Sequence, residues 1–477
     1  MKSYRGIDDL ESWDERIYEK AEEFGLDCYP QQFEICDHNQ MLSSMAYSGM
    51  PSHYPHWSYG KAYEKQKTLY DYGVTGLPYE MVINSNPCLA YLMRDNSLLL
   101  QILTIAHVYG HNDFFKNNYT FLTTRPEYTL ERFKADGDRV RSYIEDPSIS
   151  EEAVEKTLDA ARALSLQCRR NLAVRKRTPE EARDLLAESS VPPVDPFQNI
   201  HRRRTPPPPD LHKVPPVPDE DLLLFIRDNN PRLASWEKDL LTLVHEEAQY
   251  FIPQMETKIM NEGWATFWHK RILEALDLPQ DLHLEFLVRH NQVVRPFENG
   301  LNPYHIGLAI WQNVYESSGA LADDKNDDAA DSREREQAGR IFEVRESDRD
   351  SSFIRRHLTE ELGRRLNLLE FEVVEGKKIV RNLSNSEGWN SVKETLLKNV
   401  GTNAIPVIKV SDADFGQRHC LYLIHYHDGR DLDLEYAEKT MAYLNRLWQG
   451  EVALETILGE KKTLLIHDDG GFSTKAL

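Results

Sequence analysis

Two histidines four residues apart, His107 and His111, interrupt an otherwise apolar run, LLLQILTIAHVYGHNDFF. A four-residue step puts two side chains on one face of an α-helix. Imidazoles on so apolar a helix need polar partners, and a metal ion satisfies both at once. A second stretch, HEEAQYFIPQMETKIMNEGWATFWH, runs from His245 to His269 and carries Glu262 and His269 seven apart, again on one helical face. Where the two faces meet, His107, His111 and Glu262 form a two-imidazole, one-carboxylate set. His269 is then a fourth ligand or a group standing behind the ligands. This donor set serves glutamate-type zinc hydrolases and equally matches a two-histidine, one-carboxylate iron site. A divalent metal is expected, zinc first, with iron or manganese as alternatives. Without a metal, the same two histidines would be core residues bonded to backbone carbonyls or to Asn112 and Asp113.

Metal-assisted hydrolysis needs a base that takes a proton from the attacking water. In HExxH the glutamate after the first histidine supplies it, but here that position is Val108. A hydrolase built on this site must draw its base from elsewhere, and His245-Glu246-Glu247 is the nearest source in the second stretch. Glu246 is the candidate base, with His245 as the neighbouring imidazole that tunes it. Upstream, MAYSGMPSHYPHWSYGK holds His53, His56, Tyr59 and Lys61 in an aromatic stretch from Asp27 to Lys61 without a clean period. These four residues either line a pocket for an anionic or sugar-like ligand or belong to a packed lid.

The elements that must position these groups are mostly helices. Helical spacing runs over 7–26, the apolar run that carries His107 and His111, 127–145, 149–189, 219–228, 234–251, 254–276 and 302–317, with a bend expected at Pro253. YEMVINSNP reads as a short strand, after which Asp95 or Asn96 caps the histidine helix. From about residue 370, FEVVEG, KKIVRNL, AIPVIKVSDAD and CLYLIHYHD change to β-branched and alternating patterns, followed by a helix at 434–448 and the strands VALETI and KKTLLIHDD. In that pattern His425 and His427 are exposed strand residues. The fold class is therefore mainly α with a smaller C-terminal α+β domain. The organisation is a helical region at 1–190, a proline-rich strap at 191–221, a second helical region at 222–369 packing on the first, and an α+β domain at 370–477. An acidic insert at 321–337 reads as an exposed loop or a disordered insert.

At 477 residues the chain is too long for one small core. Its net charge of −21 argues against general binding to nucleic acid or to anionic membrane. The five cysteines are odd in number and form no CxxC pair, which excludes a disulfide framework and a zinc ribbon and suits a reducing cytoplasm. The charged N-terminal stretch is no signal peptide, and the apolar run at Leu98 to Tyr109 is too short and too polar to span a bilayer.

Longer motifs give a resemblance. GMPSHYPHWSYGKAYE, NSNPCLAYLMRDN, AHVYGHNDFFKNN, HEEAQYF, MNEGWATFWH, NPYHIG and DRDSSFIRRHLTEEL together resemble the stage V sporulation protein R (SpoVR) family over almost the whole chain. The resemblance implies a cytoplasmic bacterial protein linked to spore cortex formation or, in non-sporulating bacteria, to a stress response. It also implies association with a PrkA-type serine protein kinase and a von Willebrand-like partner. No catalytic activity comes with it. Locally, NEGWATFWH is similar to the helix that provides the third ligand in some glutamate zincins, with HVYGH standing in place of their HExxH helix. This implies a zincin-like helical N-terminal region. Three functions follow as expectations: a metal-dependent hydrolase of an amide or ester in a cell-wall precursor or peptide; a non-enzymatic adaptor working with the kinase; and a non-haem iron redox protein.

Overall fold

The apolar run around His107 and His111 forms the helix Leu98–Asn117, in which every residue from Leu99 to Phe115 is buried. A helix apolar on all sides has no solvent face to offer, so other elements must surround it. Its N-terminus is capped by Ser97, whose hydroxyl accepts the Leu100 amide, and not by Asp95 or Asn96. Lys258–Ala275, which carries Glu262 and His269, is buried in the same way and packs against it. Pro303–Gly319 covers another side of Lys258–Ala275. The computed structural model describes residues 7–72, 78–170, 174–189, 210–297, 300–319, 328–368, 371–374, 377–380 and 386–477. Among these, 17 α-helices dominate and the largest sheet has five strands, so the architecture is mainly α with a smaller α+β part.

The chain divides into two compact units, each built from two separate segments. Met1–Arg141 joins Tyr250–Ala404, and Ser142–Gln249 joins Ile405–Leu477. The first unit holds the helices just described and a three-stranded sheet. In that sheet Cys88–Met93 lies between Gln31–Cys36, to which it is parallel, and Glu80–Ile83, to which it is antiparallel. The second unit holds a five-stranded sheet in the order Gly471–Ala476, Lys461–Asp468, Val452–Leu458, Leu421–His425 and Ile408–Asp412. Only the Leu421–His425 and Val452–Leu458 pair is parallel, and Leu434–Trp448 forms the crossover between them.

Several local expectations change. The aromatic stretch from Asp27 to Lys61 is not one long loop. It contains the strand Gln31–Cys36, the helix His38–Ala46 and the start of Trp57–Asp71. Asp37 and Gln40 form a reciprocal capping box that starts the short helix without a long apolar period. The helix Ser235–Glu256 runs through Pro253, and the break falls at Thr257. Its Oγ1 donates to the carbonyl of Pro253 at 2.7 Å. The acidic stretch is helical from Asp328 onward, within Asp328–Ser347, where Ile341 and Val344 are buried; 321–327 lies outside the described residues. His425 is buried and bonded to Thr456 Oγ1 at 2.9 Å, and the strand ends there, before His427. Of the proline-rich strap, 191–209 lies outside the described residues. Its end pairs with the second unit's sheet, where Asp219 and Val410 exchange backbone hydrogen bonds of 2.7 and 2.9 Å.

What sets the first unit's geometry is the close approach of three helices. A Cβ at Gly110 would stand 2.6 Å from Ala265 Cα, so Leu98–Asn117 and Lys258–Ala275 touch backbone to backbone. On the far side of Lys258–Ala275, a Cβ at Gly263 would stand 2.4 Å from the carbonyl carbon of Gly307. Register is held by Asp113, which is fully buried. It accepts from Trp264 Nε1 at 2.8 Å and pairs with Arg345 at 2.6 Å. The start of Lys258–Ala275 is tied by Asp350, whose carboxylate accepts the amides of Ile259 and Met260, both at 2.9 Å. The DRDSSFIRRH motif thus builds the mount of this helix: Asp348, also fully buried, meets Arg356 at 2.7 Å and His357 at 3.2 Å.

Gly110→Val forces the two helices apart. It is expected to lower the unfolding free energy of the metal-free protein by at least about 1–3 kcal/mol, the usual overpacking cost. Urea denaturation checks this, and an unchanged midpoint would contradict the close-contact argument.

Candidate metal centre

Leu98–Asn117 presents His107 and His111 on the face that meets Lys258–Ala275, and Gly110 lies between them at the point of contact. Glu262 sits three residues before Ala265 and so faces the same crossing. The result is a cluster in which one ligand atom each from His107, His111 and Glu262 lies within 4.8 Å of the others. Glu262 Oε2 is 3.6 Å from His107 Nε2 and 3.5 Å from His111 Nε2. These distances are too long for strong hydrogen bonds. They are close to the spacing of about 3.4 Å between ligand atoms arranged tetrahedrally around zinc.

Polar satisfaction points the same way. His107 Nε2 and Glu262 Oε2 are buried and make no hydrogen bond, which is costly unless another partner serves them. The rear nitrogens are bonded: His111 Nδ1 donates to Asn261 Oδ1 at 2.8 Å, and His107 Nδ1 lies 2.9 Å from His269 Nδ1. A proton on His111 Nδ1 leaves the Nε2 lone pair aimed at the cluster, as coordination requires. The donor set of two imidazoles and one carboxylate fits zinc and equally fits a two-histidine, one-carboxylate iron site.

The electrostatics are coupled. Burial opposes ionisation of Glu262, but His107 and His111 outweigh it and hold the carboxyl far below its usual range. Burial pulls His111 down, and the Glu262 carboxylate more than offsets this, so His111 is raised. His269 makes two contacts with other imidazoles, its Nε2 lying 2.9 Å from His290 Nδ1. Burial pushes His269 well below the ordinary imidazole range and His290 down to about 4.

Sequence reasoning missed three neighbours. Glu80, at the start of its strand, feels His107, His111 and Glu262 and approaches Thr104, although Thr104 Oγ1 makes no hydrogen bond of ordinary geometry. Burial raises its pKa. Tyr304, one turn before Gly307, lies with its ring 6.0 Å from that of His107, and burial followed by Glu262 keeps its phenol protonated. His290 ends the row of imidazoles. Of the three, Tyr304 alone carries a sequence signal, the NPYHIG motif; Glu80 and His290 carry no spacing that marks them.

The other candidate residues have their own surroundings. His245 and Glu246 belong to the second unit, where His245 Nε2 bonds Asp221 Oδ2 at 2.8 Å. Burial opposes ionisation of Asp221, but that imidazole and the Leu224 amide keep its pKa lowered. His53 is buried among aromatic rings, with Nε2 2.8 Å from the Tyr59 hydroxyl and Nδ1 accepting the Tyr54 amide at 3.0 Å. His56 caps the helix Trp57–Asp71, and Lys61 Nζ lies 5.6 Å over the Trp57 ring. All five cysteines are free. Among the described residues, no helix is long and apolar enough to cross a membrane.

With this geometry in place, comparison with known proteins is informative. The family described as SpoVR like protein matches residues 5–405, and the SpoVR-like C-terminal domain matches 406–459. The boundary between the two matches falls one residue from the Ala404/Ile405 boundary of the structural units. "Uncharacterized protein YcgB" of Escherichia coli (strain K12) is 31% identical over 469 residues, covering 91% of this chain and 89% of its own length. No solved structure matches the chain.

In metal-free protein, the His111 imidazole is expected to titrate above the ordinary value of 6.5. Glu262→Gln removes the charge that raises it and should bring it down. The pair therefore stabilises the metal-free fold below that range and loses its contribution as the pH rises through the folded-state value. NMR titration of the ring protons reads both values, and an equal His111 pKa in the two proteins would contradict the coupling.

Proposed function

The chain belongs to the SpoVR family, and we propose that His107, His111 and Glu262 hold a divalent metal ion, zinc in first place, for hydrolysis of an amide or ester. The observation that carries this reading is the pair of buried atoms without hydrogen bonds, His107 Nε2 and Glu262 Oε2, converging with His111 Nε2 so that Glu262 Oε2 stands 3.6 and 3.5 Å from the two imidazole nitrogens. When bound, such an ion polarises a carbonyl and lowers the pKa of its water.

The chain's own groups divide the remaining work. His107 and His111 present Nε2, and their rear nitrogens are held by His269 and Asn261. Glu80 takes the role first sought in Glu246. It lies in the same unit as the ligands and feels their charges, and its raised pKa suits a carboxylate that must accept a proton. The Tyr304 hydroxyl, kept protonated beside Glu262, is a donor for negative charge that develops on a substrate oxygen. The two histidines are buried, while the Glu262 side chain keeps one-fifth of its surface exposed, which leaves the cluster a side open to solvent.

The biological setting follows the family. We read the reaction as cytoplasmic, serving spore cortex formation or a stress response, with a cell-wall precursor or peptide as substrate and a PrkA-type kinase and von Willebrand-like protein as regulators. Family resemblance alone supports these points.

Metal analysis of the purified chain is expected to find about one equivalent per chain, falling to background in His107→Ala and Glu262→Ala proteins that keep their helical circular dichroism. Because metal must displace the proton that Glu262 favours on His111, affinity should fall as the pH is lowered. Fewer than about 0.2 equivalents after reconstitution with zinc, iron and manganese would overturn the reading.

A further inference from the structure

The two histidines of the cluster differ in what stands behind them. His111 ends on an amide, Asn261. His107 ends on a second imidazole, and that on a third: His107 Nδ1 to His269 Nδ1 is 2.9 Å, and His269 Nε2 to His290 Nδ1 is 2.9 Å. The three rings come from three helices, Leu98–Asn117, Lys258–Ala275 and Gln280–Val293, and all are buried. Their centroids are 5.1 and 5.2 Å apart.

We propose that His269 and His290 are positioning residues that fix the ring plane and proton position of His107 from behind, and that His269 is not itself a ligand. The inference rests on the metal reading above. Its logic is proton counting. A neutral imidazole has one N–H and one lone pair. Once His107 Nε2 gives its lone pair to an ion, its proton must lie on Nδ1 and be donated to His269 Nδ1. The His269 proton then lies on Nε2 and is donated to His290 Nδ1, so the His290 proton lies on its own Nε2. One coordination event thereby orders three protons. With no ion on Nε2, the row of imidazoles has two proton directions open to it.

The same count argues against His269 as a ligand. Both its nitrogens are committed, and turning either toward an ion would leave a buried imidazole without a partner, in surroundings that include Phe286 against His290. This row of three imidazoles contains no carboxylate. A ligating histidine commonly leans on a carboxylate, which makes it a stronger electron donor. A neutral imidazole behind His107 steers the ring while leaving more of the ion's electron-withdrawing power for substrate.

The test uses the full chain with zinc alone as the probe, reading affinity by competition with a chromophoric chelator and proton positions by 15N NMR of labelled histidines. The expected result is a zinc-loaded spectrum with His107 protonated at Nδ1 and both His269 and His290 at Nε2. His269→Leu should weaken zinc binding about 10–100-fold. His269→Gln, whose carbonyl accepts from His107 and whose amide donates to His290, should recover most of that loss. His290→Leu should produce a smaller loss without disturbing the fully buried ring. Wild-type affinity in both leucine variants would overturn the inference while leaving the metal reading intact. A zinc-edge absorption spectrum that counts three imidazoles would do the same. Failure of the wild type to bind zinc would instead remove the reading on which it rests.

Discussion

The structure depends on one backbone contact, the crossing of Leu98–Asn117 and Lys258–Ala275 at Gly110 and Ala265. With nothing larger than a hydrogen or a methyl between the helices, short functional side chains flanking the contact reach one another directly. His107 and His111 stand on either side of Gly110, and Glu262 is one turn from Ala265. A larger residue at Gly110 would widen the gap beyond what an imidazole and a carboxylate can span around a single ion. Asp113 and Trp264 then hold the register, and Arg345 supplies the charge that makes a fully buried Asp113 tolerable.

The same device recurs at the second crossing, where Gly263 meets Gly307 and brings Tyr304 toward the cluster. His107, His111, Glu262 and Tyr304 thus stand within a turn of a small residue that sets how close their helices come. Glycine inside a helix costs roughly 1 kcal/mol relative to alanine, and here the cost is offset by helix contact and by a defined cluster. The surrounding aromatic groups, including Trp264, Trp311 and Phe353, complete a rigid wall, with the Trp264 and Trp311 rings 4.8 Å apart and those of Trp311 and Phe353 4.6 Å apart.

Much of this is legible in the sequence where the signal is local. The four-residue step of His107 and His111 on an apolar run, the Glu262 and His269 phase, and the change of texture near residue 370 are read directly from periodicity. So is the helix at 434–448, found as Leu434–Trp448. What escapes is set by tertiary contact. Glu80 is a single acid in a short strand and gains meaning only when that strand lies along the histidine helix. His290 looks solvated between Arg289 and Asn291, yet its helix turns it inward. The helix over Asp328–Ser347 contradicts the loop expected for the acidic stretch, because Ile341 and Val344 anchor it in the core from beyond the acidic residues. The last strand, Gly471–Ala476, is polar and pairs only because Lys461–Asp468 offers it an edge.

The central claim is that three side chains from two touching helices surround one ion. Anomalous scattering at the zinc edge, from crystals of the chain grown with stoichiometric zinc, tests it most directly. The account predicts a single strong peak about 2.0–2.2 Å from His107 Nε2, His111 Nε2 and a Glu262 carboxylate oxygen. A map with no peak between those groups, or with its principal peak on other residues, would contradict it.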